Sequence, residues 1–138
     1  MQRCQNKCIR FILDLPARHH VTFNEFKKLN YLSVANRVDY ITLCNMFNIM
    51  NKTSPEYMCS LIENTSHNYN TRQNKNAVRM ENVKAYGKHS FFYNGSKLWN
   101  KLENNVKLCE TKIKFKKSCK KYLMETMDSV YNCDFIYY

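Results

Sequence analysis

Two glycines and two prolines in 138 residues leave this chain with few of the residues that reverse a backbone. Strand-and-turn architectures need such residues at each hairpin, so their scarcity points to a mostly α fold, a helical-bundle-like domain. Asn is abundant instead, at 18 positions, alongside many Lys and Tyr. All three have A/T-rich codons, so base composition contributes to that bias. Hydrophobic residues make up 44% of the chain and aromatics 14%, which is enough to supply a core.

Apolar periodicity places the helices. Residues 1–14 read as an amphipathic helix, with Met1, Cys4, Cys8, Phe11 and Ile12 expected to face the core. Arg3, Lys7 and Arg10 lie on its opposite face, Pro16 stops it, and no cap precedes it, as in a fragment that begins in mid-pattern. A short helix is expected over 23–29 under Phe23, Phe26 and Leu29. Ser33 is the N-cap of a long helix over 34–50 whose apolar residues go nearly all the way round, which predicts a central helix. Ser54-Pro55-Glu56 starts another, docked by Tyr57, Leu61 and Ile62, with Ser54 as cap and Pro55 in the first turn. Residues 64–76 have no periodicity and read as an exposed loop, and one short β-hairpin is expected around 77–86. Ser90 to Leu102 and residues 111–124 are helical. In the last of these Phe115, Cys119, Tyr122 and Leu123 form the apolar stripe, opposite Lys114, Lys117 and Lys121. Four regions follow: 1–62, helical; 63–88, a polar loop with short extended pieces; 89–124, aromatic and basic; and 125–138, a variable tail.

Charge is segregated along the chain. The net charge is +11, and residues 65–121 alone carry fourteen basic and three acidic side chains. The tail from 122 has three acids and no base. That imbalance points to an acidic partner, RNA or DNA before a membrane. The candidate phosphate contacts are Arg3, Lys7, Arg10, Lys97, Lys101, Lys114, Lys117 and Lys121. About six phosphate contacts would give a log–log salt slope near −5. No apolar run reaches the roughly 18 residues of a membrane span. Seven irregularly spaced Cys read as reduced, intracellular thiols rather than a disulfide scaffold.

Catalytic signatures are missing from the sequence. Two glycines cannot build a phosphate-binding loop, and no paired carboxylates stand at helical spacing in a plausible pocket. Cys4 and Cys8, with His19 and His20, have tolerable spacing for zinc, but both thiols fall on the expected apolar face and read as core. The expectation is no catalytic residue, no metal site and no cofactor. Trp99, Phe91 and Phe92 read as core aromatics rather than base-stacking groups.

Seven short motifs stand in one order. They are Met1-Gln2-Arg3-Cys4-Gln5-Asn6-Lys7-Cys8-Ile9-Arg10, Leu15-Pro16-Ala17-Arg18-His19-His20, Tyr31 to Arg37, Pro55-Glu56-Tyr57-Met58 and Asn70-Thr71-Arg72. Gly87 to Ser90-Phe91 with Gly95 to Leu98-Trp99-Asn100, and Phe115 to Leu123, complete the series. In that order they resemble the C-terminal end of reverse transcriptases from non-LTR (LINE-type, jockey-like) retrotransposons, over residues 1–124. Glu103 departs from the Pro that commonly follows the Trp-Asn motif in that family, and 125–138 has no counterpart.

The resemblance implies the late thumb and C-terminal domain of an RNA-directed DNA polymerase, without its endonuclease, fingers and palm. The parent's adjacent active-site aspartates, and the Mg they hold, belong to the palm, and no two acids are adjacent here. It implies a chain inactive as a polymerase that grips template RNA, primer DNA or target DNA. The alternative is a host helical module for protein interaction or structure, with no nucleic-acid role.

Overall fold

The computed structural model describes residues 1–62, 77–79 and 84–131. Among the described residues, seven α-helices run in chain order: α1 (Gln2–Ile12), α2 (Phe23–Leu29), α3 (Val34–Met50), α4 (Glu56–Cys59), α5 (Phe91–Lys101), α6 (Asn104–Lys107) and α7 (Lys112–Tyr131). A 3₁₀ helix, Ala85–His89, precedes α5. The fold is mostly α, and the described residues contain no strand. Two compact units are formed, one from Met1–Tyr40 with Cys119–Tyr138 and the other from Ile41–Ser118.

In the first unit Ile9, Val21, Phe26 and Met127 form the buried cluster, with Leu13, Phe23, Leu29 and Met124 packed against it. The face of α1 is therefore not the expected one. Ile9 is 1% exposed, whereas Met1, Cys4, Cys8, Phe11 and Ile12 are all exposed. Two glutamines explain the reversal. Gln5 Nε2 donates to the Leu32 carbonyl at 2.7 Å, and the Val34 N–H donates to Gln2 Oε1 at 3.0 Å. Those bonds tie the Gln2–Gln5–Ile9 side of α1 to the segment that enters α3, satisfying backbone groups that would otherwise lack partners.

Thr22 and Glu25 hold the start of α2 by reciprocal capping. The Thr22 hydroxyl and backbone N–H donate to Glu25 Oε2 at 2.6 and 2.7 Å. Burial by itself would raise the Glu25 carboxyl. The bonds from Thr22 and from the Glu25 backbone, with His19 nearby, outweigh it and hold the carboxyl below its ordinary value. A depressed folded value means that the stabilisation is present above the ordinary carboxyl pKa and is lost as pH falls through the lower folded one. Thr22→Ala is expected to cost about 1 kcal/mol at neutral pH. In urea melts at pH 7 and pH 3, the variant should lose less stability on acidification than the wild type, and an equal loss would refute this role for the box.

The second unit is built around stacked aromatics. Phe115 is fully buried and stacks with both Phe47, at 4.2 Å, and Trp99, at 6.1 Å, centroid to centroid. Trp99 is thus a core residue, as its spacing predicts. Leu43, Met46, Ile49, Val78, Leu102 and Val106 are buried in the same unit. A Cβ at Gly95 would lie 2.8 Å from Met46 Sδ, so α5 passes α3 with no room for a side chain at that point.

Other expectations need correction. Of the hairpin expected around 77–86, Met80–Val83 lie outside the described residues, as does the expected loop 64–76; Val78 sits in a single β-bridge, and Ala85 and Tyr86 belong to the 3₁₀ helix instead of a strand. The Gly87 N–H donates to the Lys84 carbonyl at 2.9 Å and Ser90 N–H to Gly87 at 3.0 Å, which coils that piece. Val78 gives both its backbone groups to the Asn100 side chain, at 2.9 Å each. Helix α4 is capped at Pro55 rather than Ser54, and Tyr57 and Leu61 are exposed instead of docked. On α3, Ser33 accepts from the Asn36 N–H at 3.3 Å as the N-cap, but Val38 and Ile41 are about half exposed, at 57% and 48%. Only its second half is enclosed. Helix α7 continues past 124 to Tyr131.

Candidate nucleic-acid interface

Helix α7 presents the densest cation display. Phe115, Cys119, Leu123 and Met127 are buried at four-residue spacing, so the helix has one inward stripe. Lys112, Lys114, Lys116, Lys117 and Lys121 are exposed around the remainder. Lys114 pairs with Glu110 at 3.5 Å and Lys121 with Glu125 at 3.9 Å, and all four side chains are largely solvent-exposed. Such pairs contribute little and leave the cations available to a phosphate. Lys112 and Lys116 escaped the sequence reading because they sit beside, not opposite, the apolar stripe.

Lys97 and Lys101 are exposed one turn apart on α5. Helix periodicity turns both about 160° from Trp99, which faces Phe115. Lys117 is turned by the same rule away from Phe115 on α7. Lys97 and Lys101 therefore lie on a face that diverges from that of Lys117, and one flat surface does not gather the three.

On α1, Arg3 and Lys7 are exposed, while Arg10 is half-buried and its Nη1 donates to the His19 carbonyl at 3.1 Å. That bond makes Arg10 a clamp on the 16–20 turn as much as a surface cation. Cys4 and Cys8 are exposed, which overturns their reading as core thiols. No cluster of three or more metal-ligating side chains occurs among the described residues.

The aromatic motif proves to be framework. Ser90 caps α5 by accepting from the Tyr93 N–H at 3.3 Å. Gly95 allows the close approach to Met46, Trp99 stacks on Phe115, and Asn100 holds Val78. Phe91 and Phe92 meet edge to face at 5.4 Å and are half-buried. Lys107, which no spacing marks, is buried with its Nζ 3.4 Å from the Asn100 carbonyl at the end of α5. Burial lowers its pKa, and its position at a helix C-terminus gives it a structural role.

Comparison with protein-family models, with curated proteins and with solved structures gives no match to this chain. The physical arrangement therefore carries the functional argument. A cleft of about 290 Å³ is lined by Phe47, Asn48, Asn51, Thr53, Glu110 and Lys112. Its lining mixes apolar, polar and oppositely charged groups, with Glu110 and Lys112 as the ionisable pair. No helix among the described residues is long and apolar enough to cross a membrane.

Proposed function

We propose that this chain is a nucleic-acid-contacting helical region corresponding to the late thumb and C-terminal part of a non-LTR retrotransposon reverse transcriptase, with no polymerase chemistry of its own. The observation that carries the proposal is the outward lysine display of α7 on a helix whose opposite stripe is fully buried. A buried stripe fixes the helix, so its cations are presented rather than left to wander. The co-linear motifs support the parentage, and the phosphate-seeking charge supports the role.

The span from Lys112 to Lys121 is about 14 Å long at the helical rise. Measured along the duplex axis, where one strand places a phosphate about every 3.4 Å, that length covers about four phosphates. Contact through α7 alone gives a log–log salt slope near −3.5, shallower than six contacts would give. Phosphate contacts carry no sequence information, so RNA and RNA–DNA duplex of any sequence should bind alike.

The test is filter binding of an RNA–DNA duplex over a salt series, with wild type and the triple variant Lys114→Gln, Lys117→Gln, Lys121→Gln. The variant should lose about 2.7 units of slope while its thermal unfolding stays unchanged, since all three side chains are exposed. Binding that is absent or independent of salt rejects the nucleic-acid role. An unchanged slope in the variant rejects α7 as the contact.

A further inference from the structure

Helix α1 carries an apolar stripe that its own unit does not use. Phe11 is 88% exposed, Met1 96% and Ile12 52%, and the Cys4 and Cys8 thiols stand exposed between them. Positions 1, 4, 8 and 11 alternate steps of three and four, the spacing of a seam that receives another helix. Exposed apolar groups are ordinary when scattered, but this set is contiguous along one helix face.

The surroundings of the stripe differ on its two sides. One flank is occupied by the fold, where Gln2, Gln5 and Ile9 are engaged. The other carries Arg3, Lys7 and Arg10, and α1 contains no acidic residue. We propose that the outer face of α1 is a docking surface for an amphipathic helix of a partner protein, whose apolar seam is edged by Asp or Glu on the side facing Arg3 and Lys7. Charge complementarity selects this occupant. A second copy of α1 seated antiparallel in the same seam would bring Lys7 toward Lys7, and one seated parallel would set Lys7 against Ile12, so neither supplies the acid that this flank calls for. A lipid surface suits a helix with cations on both sides of its apolar face, and here one side is closed by packing. The surface does not depend on the nucleic-acid reading.

The thiols give the test a local readout, because a helix seated in the seam covers Cys4 and Cys8. The probe is a synthetic peptide of about three heptads with Leu at the seam positions and Glu at the flanking ones, used with a Lys-flanked counterpart and with phosphatidylcholine–phosphatidylserine vesicles. Fluorescence anisotropy on the whole chain should show binding of the Glu peptide and none of the Lys peptide. Maleimide labelling read by mass spectrometry should show Cys4 and Cys8 protected by the Glu peptide. Phe11→Ala should weaken binding about tenfold or more. The double variant Arg3→Glu, Lys7→Glu should reverse the preference to the Lys peptide. All three substituted side chains are exposed, so unchanged thermal unfolding is expected to accompany these effects. Binding of neither peptide, equal binding of both, insensitivity to Phe11→Ala, or protection of the thiols by vesicles alone would overturn the proposal.

Discussion

Phe115→Ala should destabilise the second unit by about 3–5 kcal/mol. The ring is fully buried, and it is shared by two stacking contacts, with Phe47 and with Trp99. Its removal leaves a void that Phe47 cannot close without abandoning α3's packing and Trp99 cannot close without displacing α5. Typical domain stabilities are about 5–15 kcal/mol, so the loss would remove a large part of the total. Trp99 is the chain's single tryptophan, which makes its fluorescence a direct reporter in urea melts. The midpoint should fall sharply, whereas Phe115→Leu, which keeps most of the volume, should cost about 1–1.5 kcal/mol. Equal effects of the two replacements would mean that the stack has no special weight.

Asn100 is expected to give the next largest effect. Its Nδ2 donates to the Val78 carbonyl and its Oδ1 accepts from the Val78 N–H, both at 2.9 Å. Val78 is 3% exposed, so removing the amide leaves a backbone donor and acceptor buried and unpaired. Asn100→Ala should therefore cost about 2–3 kcal/mol. Asn100→Asp isolates the donor: at neutral pH the carboxylate still accepts from Val78 N–H, but it sets a second oxygen against a carbonyl. Acidification restores a proton that can donate, so this variant should regain stability relative to the wild type as pH falls. Loss of stability at every pH in parallel with Asn100→Ala would refute the two-point clamp.

Much of the helix pattern can be read from residue order, and the reasons differ by element. The start of α3 follows from Ser33, the cap expected there, whereas the expectation of α2 rests on Phe23, Phe26 and Leu29 alone and leaves the Thr22–Glu25 box that starts it unmarked. The inward stripe of α7 follows from four-residue spacing, and Met127 extends that spacing beyond Leu123, which explains the longer helix. Helix α6 is a single turn, too short for any periodicity. The inner face of α1 was hidden because glutamines, not apolar residues, join Ile9 there, and hydropathy counts them as solvent-facing. At the basic surface, the exposure of Lys114, Lys117 and Lys121 could be inferred from the opposing apolar stripe. The divergence of Lys97 and Lys101 from Lys117 could not, because it depends on Trp99 and Phe115 meeting across two helices.

The near contact of Gly95 with Met46 makes two positions 49 residues apart a single unit of volume. Space granted at 95 must be surrendered at 46, and the thioether is the most yielding partner that a core can place there. Substitution at either position alone meets resistance that paired substitution escapes, so the two sites would be expected to change together more readily than apart. A helix crossing that looks like a fixed joint is in this sense an adjustable one, with its range set by the length of one flexible side chain.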